Sequence, residues 1–239
     1  MKNESATLFG IDIAIGTKEE LLSLATSLIG RGGAISTVNP EIMRDSVYNA
    51  TLRAALMESL NIPDGVGVRA SLSMKGIKTE VFPGVELGEA LLDIPGVRFA
   101  IIGGKSGVAK RALEKLSLLH PGSVPCFAMD GYTLSYTSVG EQLTEYLPQL
   151  VFVCLGSPKQ EIFIYNIKRY AKETLFLSLG GSVDIYAQDK KRAPRVVRKM
   201  KCEWLYRMIR EPSRISRVPK LADFAYFSLI EALNNRKNR

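Results

Sequence analysis

Histidine is almost missing from this sequence: His120 is the only one in 239 residues. It sits in L-L-H-P-G, where a helix end explains it, so histidine-based acid–base or nucleophilic chemistry has little to work with. Cysteine is scarce as well. Cys126, Cys154 and Cys202 are odd in number, far apart and in no C-x-x-C pattern, which argues against a disulfide framework or a zinc site and for reduced thiols in a cytoplasmic protein. No apolar run reaches the ~18–20 residues that cross a bilayer. The start, M-K-N-E-S-A-T-L-F-G, has no apolar leader core, so no signal peptide is expected. G-x-S-x-G and a metal-holding D-x-D are absent too.

What is present is unevenly distributed. The total charge of +8 hides a split. Residues 189–239 hold fifteen Lys/Arg against five Asp/Glu, a net +10, while residues 1–188 come to −2. A near-neutral body thus carries a strongly basic C-terminal fifth. Such a block calls for an anionic partner: a membrane surface, a diphosphate or a nucleic acid.

Across the body, apolar runs alternate with helical patterns. A-T-L-F-G-I-D-I-A-I precedes Thr17, an N-cap candidate with Glu20 three residues on, and the helix that follows runs to Gly30. Further strands are read in A-I-S-T-V-N, around Ile62, in V-R-F-A-I-I-G-G, S-V-P-C-F-A-M-D-G, Q-L-V-F-V-C-L-G-S and T-L-F-L-S-L-G-G, and one helix opens at Pro40. These runs suit a mainly parallel sheet with helices on both faces. The expected fold is a Rossmann-like α/β body over residues 1–188, followed by a basic amphipathic helical appendage over 189–239.

Sheets of this kind bind ligands beyond the carboxyl ends of their strands. The polar residues there are Thr37 and Asn39, Asp64 in I-P-D-G, Gly103, Gly104 and Lys105, Asp130, the stretch from Gly156 through Lys159 and Gln160 to Glu161, and Asp184. Each alone is ordinary turn chemistry; together they form a rim of donors and carboxylates. I-I-G-G-K-S-G is neither a Walker loop, because Phe99 stands where a glycine is needed, nor a G-x-G-x-x-G fingerprint. It remains a glycine turn at a helix start, able to meet a phosphate or simply to turn the chain. With histidine nearly excluded, a group that takes a proton has to be a carboxylate. Asp64 is the best placed, between Pro63 and two glycines, although an Asp stabilising its own turn explains the same residue.

T-V-N-P-E-I-M, P-D-G-V-G-V, I-I-G-G-K-S-G-V-A, M-D-G-Y, L-G-S-P-K-Q-E, L-G-G-S-V-D, K-R-A-P and E-W-L-Y-R-M-I-R-E-P-S-R-I-S-R follow one another in an order that resembles the WecG/TagA/CpsF glycosyltransferases, from about Gly10 to Arg217. The resemblance implies a metal-independent, inverting transferase without cofactor at the cytoplasmic membrane face. It would use a UDP-sugar donor and a lipid-diphosphate-linked sugar acceptor. The best-known reaction moves N-acetylmannosamine onto the 4-hydroxyl of N-acetylglucosamine on undecaprenyl diphosphate, at the start of wall teichoic acid synthesis; relatives build other surface polysaccharides with other donors.

By resemblance, Asp64 is the general base, Thr37 and Asn39 line its pocket, and Gln160 is an active-site amide. Arg207, Arg214 and Arg217 would hold the acceptor diphosphate. One departure stands out: Val81 and Phe82 occupy the place where the family often has an arginine, and Lys78, Lys105 or a tail arginine would have to substitute. The tail also carries an apolar stripe, Leu221, Phe224, Ala225, Phe227 and Ile230, which fits either a membrane interface or packing on the body. A nucleic-acid binder is the rival reading, but no recognised module is present and the rim carboxylates repel phosphate. A nucleotide-binding protein without catalysis is a third. Assembly stays open, because an amphipathic tail can also be buried between copies of the chain in a homo-oligomer.

Overall fold

The structure is a computed structural model and describes residues 4–132, 134–188, 194, 197, 206, 209 and 216–237. Its centre is a six-stranded, wholly parallel sheet in the order β4-β3-β8-β7-β5-β6. The strands are β3 (Gly33–Val38), β4 (Leu60–Pro63), β5 (Arg98–Gly103), β6 (Val124–Met129), β7 (Leu150–Cys154) and β8 (Leu175–Ser178). Every residue of β7 and β8 is buried, because both faces of these central strands are covered. The expected Rossmann-like α/β body is what the chain forms.

Alternation along the strands separates the two faces. Phe99 and Ile101 of β5 join Phe152 and Leu177 under α1 (Lys18–Thr26), α5 (Gly84–Leu92) and α6 (Val108–Leu119). Ala100 and Ile102, one residue out of step, join Val151, Val153 and Phe176 under α7 (Tyr136–Tyr146) and α8 (Lys159–Ile167). A third cluster gathers at the β4 edge, among α2 (Pro40–Tyr48), α3 (Ala50–Met57), α4 (Val66–Met74) and the N-terminal residues.

Those N-terminal residues correct one expectation. The first apolar run is not a strand of the main sheet. It folds on itself as an antiparallel hairpin, β1 (Ser5–Leu8) against β2 (Ile11–Ala14). Phe9 and Gly10 both take positive φ, 53° and 73°, the conformation a two-residue hairpin turn requires. Arg53 Nη1 donates to the Phe9 carbonyl at 2.8 Å and holds that turn against α3.

Two helix starts follow the sequence signals. Thr17 and Glu20 form the expected capping box on α1, although the helix ends at Thr26 rather than Gly30. Asn39 caps α2, accepting from the Ile42 N–H at 3.0 Å, with Pro40 as first helical residue. His120 is the C-cap of α6, its ring Nδ1 2.8 Å from an Asp93 oxygen. Cys126 and Cys154 are free thiols, while Cys202 lies outside the described residues.

The last helix, α10 (Val218–Lys237), packs on α2 and α4. Phe224, Ser228 and Ala232 recur at four-residue intervals and are its buried face. Ion pairs flank the contact: Arg44 Nη2 to Asp223 at 2.7 Å, Lys220 to Asp45 at 2.6 Å, Arg217 to Glu41 at 3.2 Å and Lys75 to Glu231 at 2.9 Å. Tyr226, Leu229, Ile230 and Leu233 are exposed on the same helix. Among the described residues no helix is long and apolar enough to cross a membrane.

Candidate active site

Because the sheet is parallel, all six strands deliver their carboxyl ends to one edge. The connections run outward from one place: β5 leads to its neighbour β6, whereas β7 leads the opposite way to β8. The helices that follow β5 and β7, α6 and α8, lie on opposite faces. That is a topological switch point, where such folds open a crevice. Every rim residue expected from the sequence and described here sits at this edge. They do not form one cluster, however: Asp64 after β4 and Asp130 after β6 are five strand spacings apart, roughly 24 Å.

Three helices begin around Asp64. Its N–H donates to the Val38 carbonyl at 2.8 Å, which fixes the end of β4 to β3. Gly67 of α4 lies so close to Pro40 of α2 that an added Cβ would come within 2.4 Å of the proline ring. Gly84, first residue of α5, lies against Thr37, where a Cβ would meet Oγ1 at 3.0 Å. Thr37 is buried and its hydroxyl donates to the Ser178 carbonyl at 3.0 Å, joining β3 to β8. Asn39 has its carbonyl oxygen occupied by the α2 cap, leaving its NH₂ for other partners. Thr37, Asn39 and half-buried Asp64 are thus brought together, at the positive ends of three helix dipoles. Gly65 beside Asp64 has φ +91°, and a Cβ there would meet no described residue within 4 Å, its chain neighbours aside.

The β5–β6 end is built differently. A Cβ on Gly103 would lie 2.3 Å from the Cys154 carbonyl oxygen, and one on Gly104 would press on Val108 and Val183. The Gly104 N–H donates to Cys154, and the Gly107 N–H donates to Asp130 Oδ1 at 3.0 Å. Asp130 therefore holds the glycine turn from behind. Among the described residues, the N–H groups of Lys105 and Ser106 are the donors of this turn not used within it, and the Lys105 side chain is exposed.

Between the two ends lie the loops after β7 and β8. Gly156 leads through Ser157 and Pro158 into α8; Lys159 is exposed, but Gln160 and Glu161 are buried. Gln160 Nε2 donates to Glu161 Oε1 at 2.7 Å, and its Oε1 accepts the Gly180 N–H at 2.8 Å. Burial pushes the Glu161 carboxyl above the ordinary glutamate range, only partly offset by the Gln160 amide. Burial also pushes the Cys154 thiol up to about 12, so it stays protonated and unreactive. Asp184, half-buried, is carried by α9 (Ser182–Tyr186) just beyond Gly180.

Phe82, at the turn where the resemblance leads to the expectation of an arginine, is buried, and its N–H donates to the Pro63 carbonyl at 2.9 Å. A cation does lie beside it. Lys18 Nζ is 5.5 Å from the ring centroid and pairs with Glu86 at 2.7 Å. Sequence reading missed this lysine because 64 positions separate it from Phe82; the contact depends on Gly16 and Lys18 hydrogen bonding to Thr79 and Glu80. Lys78 is exposed. Arg207 and Arg214 lie outside the described residues, and Arg217 is engaged by Glu41. Among the described residues, no three His, Cys, Asp or Glu side chains gather as metal ligands.

A parallel sheet with an acid at one carboxyl end and a glycine turn near its switch point fits many transferases. Sequence likeness decides among them. The sequence profile of the glycosyl transferase WecG/TagA/CpsF family matches residues 6–238. The chain belongs to that family. Among curated relatives of this WecG/TagA/CpsF member, the N-acetylglucosaminyldiphosphoundecaprenol N-acetyl-beta-D-mannosaminyltransferase of Bacillus subtilis (strain 168) is 32% identical over 211 residues, 86% of this chain and 82% of the relative. Proteins of the same name from Bacillus spizizenii and Staphylococcus aureus (strain MW2) are 30% and 32% identical, over 79% and 80% of this chain and 75% and 78% of their own lengths. This family member is a glycosyltransferase.

Proposed function

We propose that this glycosyltransferase moves N-acetylmannosamine from its UDP form to the 4-hydroxyl of N-acetylglucosamine on undecaprenyl diphosphate, with inversion and without a metal. The observation that carries the reading is the likeness to relatives of that name over three quarters or more of both chains. Asp64 is the base. It takes the proton of the acceptor hydroxyl as that oxygen attacks the anomeric carbon, and the bond to the UDP oxygen breaks on the opposite face. A positioned carboxylate contributes roughly 10²–10⁴-fold to such a step. Its place after a strand end among three helix starts, with Thr37 and Asn39 as neighbours, supports this assignment. The donor diphosphate would then lie toward the switch point, near the Lys105 and Ser106 N–H groups and Lys159.

Residues 189–239 serve as a basic appendage that meets the cytoplasmic face of the membrane. The exposed Tyr226, Leu229, Ile230 and Leu233 of α10 support that role, together with the +10 charge of the segment. Arg207, Arg214 and Arg217 would receive the lipid diphosphate, Arg217 by exchanging its contact with Glu41. The test is a panel of UDP-sugars with a short-chain lipid-diphosphate N-acetylglucosamine acceptor, in EDTA, with products identified by mass and anomeric configuration. Transfer of N-acetylmannosamine with inversion is expected. Preference for another UDP-hexose would replace the donor, and strict dependence on added magnesium or manganese would overturn the metal-free mechanism.

A further inference from the structure

Glu161 is a buried acid that the mechanism above does not use. It is 2% exposed; one of its oxygens accepts from Gln160, and the other, Oε2, has the Ser157 and Ser178 hydroxyls nearby but no hydrogen bond of ordinary geometry among the described residues. The Ser178 hydroxyl, at the end of β8, is wholly buried and likewise lacks such a bond. Such groups are costly to bury, so a carboxyl here needs a reason beyond packing.

The hydrogen bonds supply one. Gln160 is a side-chain amide with two distinguishable ends. The Gly180 N–H can only donate, so it needs the amide oxygen. That orientation turns the NH₂ toward Glu161, which offers an acceptor. Reversing the amide would set two donors face to face at Gly180. Gly180 takes φ +53° and leads through Gly181 into α9, which carries Asp184. We propose that Glu161 is a positioning residue acting through Gln160: it fixes the orientation of that amide and, with it, the Gly180–Gly181 turn at the centre of the site. The groups that face the Glu161 carboxyl are Gln160, Ser157 and Ser178, none of them charged. Burial raises the pKa of this carboxyl, and the hydrogen bond from Gln160 partly offsets that shift.

The inference rests on the transferase reading for its activity arm alone; amide exchange at Gly180 gives a second arm that needs no substrate. The full chain and four variants are compared: Gln160→Ala, Glu161→Gln, Glu161→Ala and the double Gln160→Ala/Glu161→Ala. Glu161→Ala is expected to lower kcat for sugar transfer about 10–100-fold, as small misplacements of a site do. Glu161→Gln keeps an acceptor for Gln160 and should recover most of that loss. The double variant should be no worse than Gln160→Ala alone, because the two act as one unit. Exchange at the Gly180 amide should quicken in Glu161→Ala and Gln160→Ala but not in Glu161→Gln. Losses that multiply in the double variant would overturn the proposal. So would a Gly180 amide whose protection is unchanged in a folded Glu161→Ala protein, or a Glu161→Gln variant no better than Glu161→Ala. Should Gln160→Ala leave transfer unaffected, the active-site reading of Gln160 fails instead, and the exchange arm still decides on Glu161.

Discussion

The two ends of the carboxyl edge use glycine for opposite purposes. At the β4 end, no described residue crowds Gly65, and an acid stands beside it. At the β5 end, Gly103 is glycine because the Cys154 backbone leaves no room for anything else, and the neighbouring acid, Asp130, is bound to the turn it supports. Asp64 therefore follows a strand beside a glycine that no described residue crowds, whereas Asp130 is bonded into the turn it supports. Similar short motifs, P-D-G and M-D-G, conceal this difference in the sequence.

The largest stability difference is expected from the glycines themselves. Gly103→Ala combines an unfavourable φ of +127° with a backbone clash and should cost about 3 kcal/mol or prevent folding, while Gly65→Ala should cost about 1 kcal/mol. Urea denaturation of both variants checks this, and equal losses would erase the distinction. Next comes Asp130→Ala, which removes the acceptor for the Gly107 N–H and should cost about 1 kcal/mol, as lost helix caps do. Its effect on turnover should stay below about tenfold, the reverse of the pattern expected at Asp64. A steep loss of turnover without loss of stability would move Asp130 from the scaffold to the chemistry.

A pH series sharpens the picture between the two ends. The Glu161 carboxyl is held above its ordinary range by burial, so the folded state binds its proton more tightly than the unfolded chain does. That contribution is fully present at low pH and is lost as pH rises, from roughly pH 4.3 upward. Glu161→Gln, uncharged throughout, should lose less stability over that rise than the wild type; parallel curves would mean that Glu161 is not perturbed. The smallest effect belongs to the Arg217–Glu41 pair, which is partly exposed on both sides. Glu41→Gln should shift the unfolding free energy by less than about 1 kcal/mol. A larger shift would make that contact a main anchor of α10.

Much of the fold could be read from the sequence, for local reasons. Apolar runs that end in glycine, aspartate or asparagine gave the strands of the main sheet, and the Thr17–Glu20 and Asn39–Pro40 signals gave two helix starts. The first apolar run was misplaced because its turn, Phe9–Gly10, puts a non-glycine residue at positive φ, and no composition rule flags a phenylalanine there. The rim was legible as a set of strand ends, but its division was not. Strand order decides which ends are neighbours, and β8 inserting between β3 and β7 is a long-range fact. Lys18 beside Phe82, and Gln160 reaching Gly180, likewise arise from segments that only the folded sheet brings together.

The central claim is that Asp64 removes the proton from an acceptor sugar. Turnover of Asp64→Asn, measured beside its affinity for UDP and its unfolding midpoint, tests it most directly. The account predicts a loss of at least about 100-fold in turnover, with nucleotide binding and folding little changed. An Asp64→Asn enzyme that transfers sugar at close to the wild-type rate would contradict it.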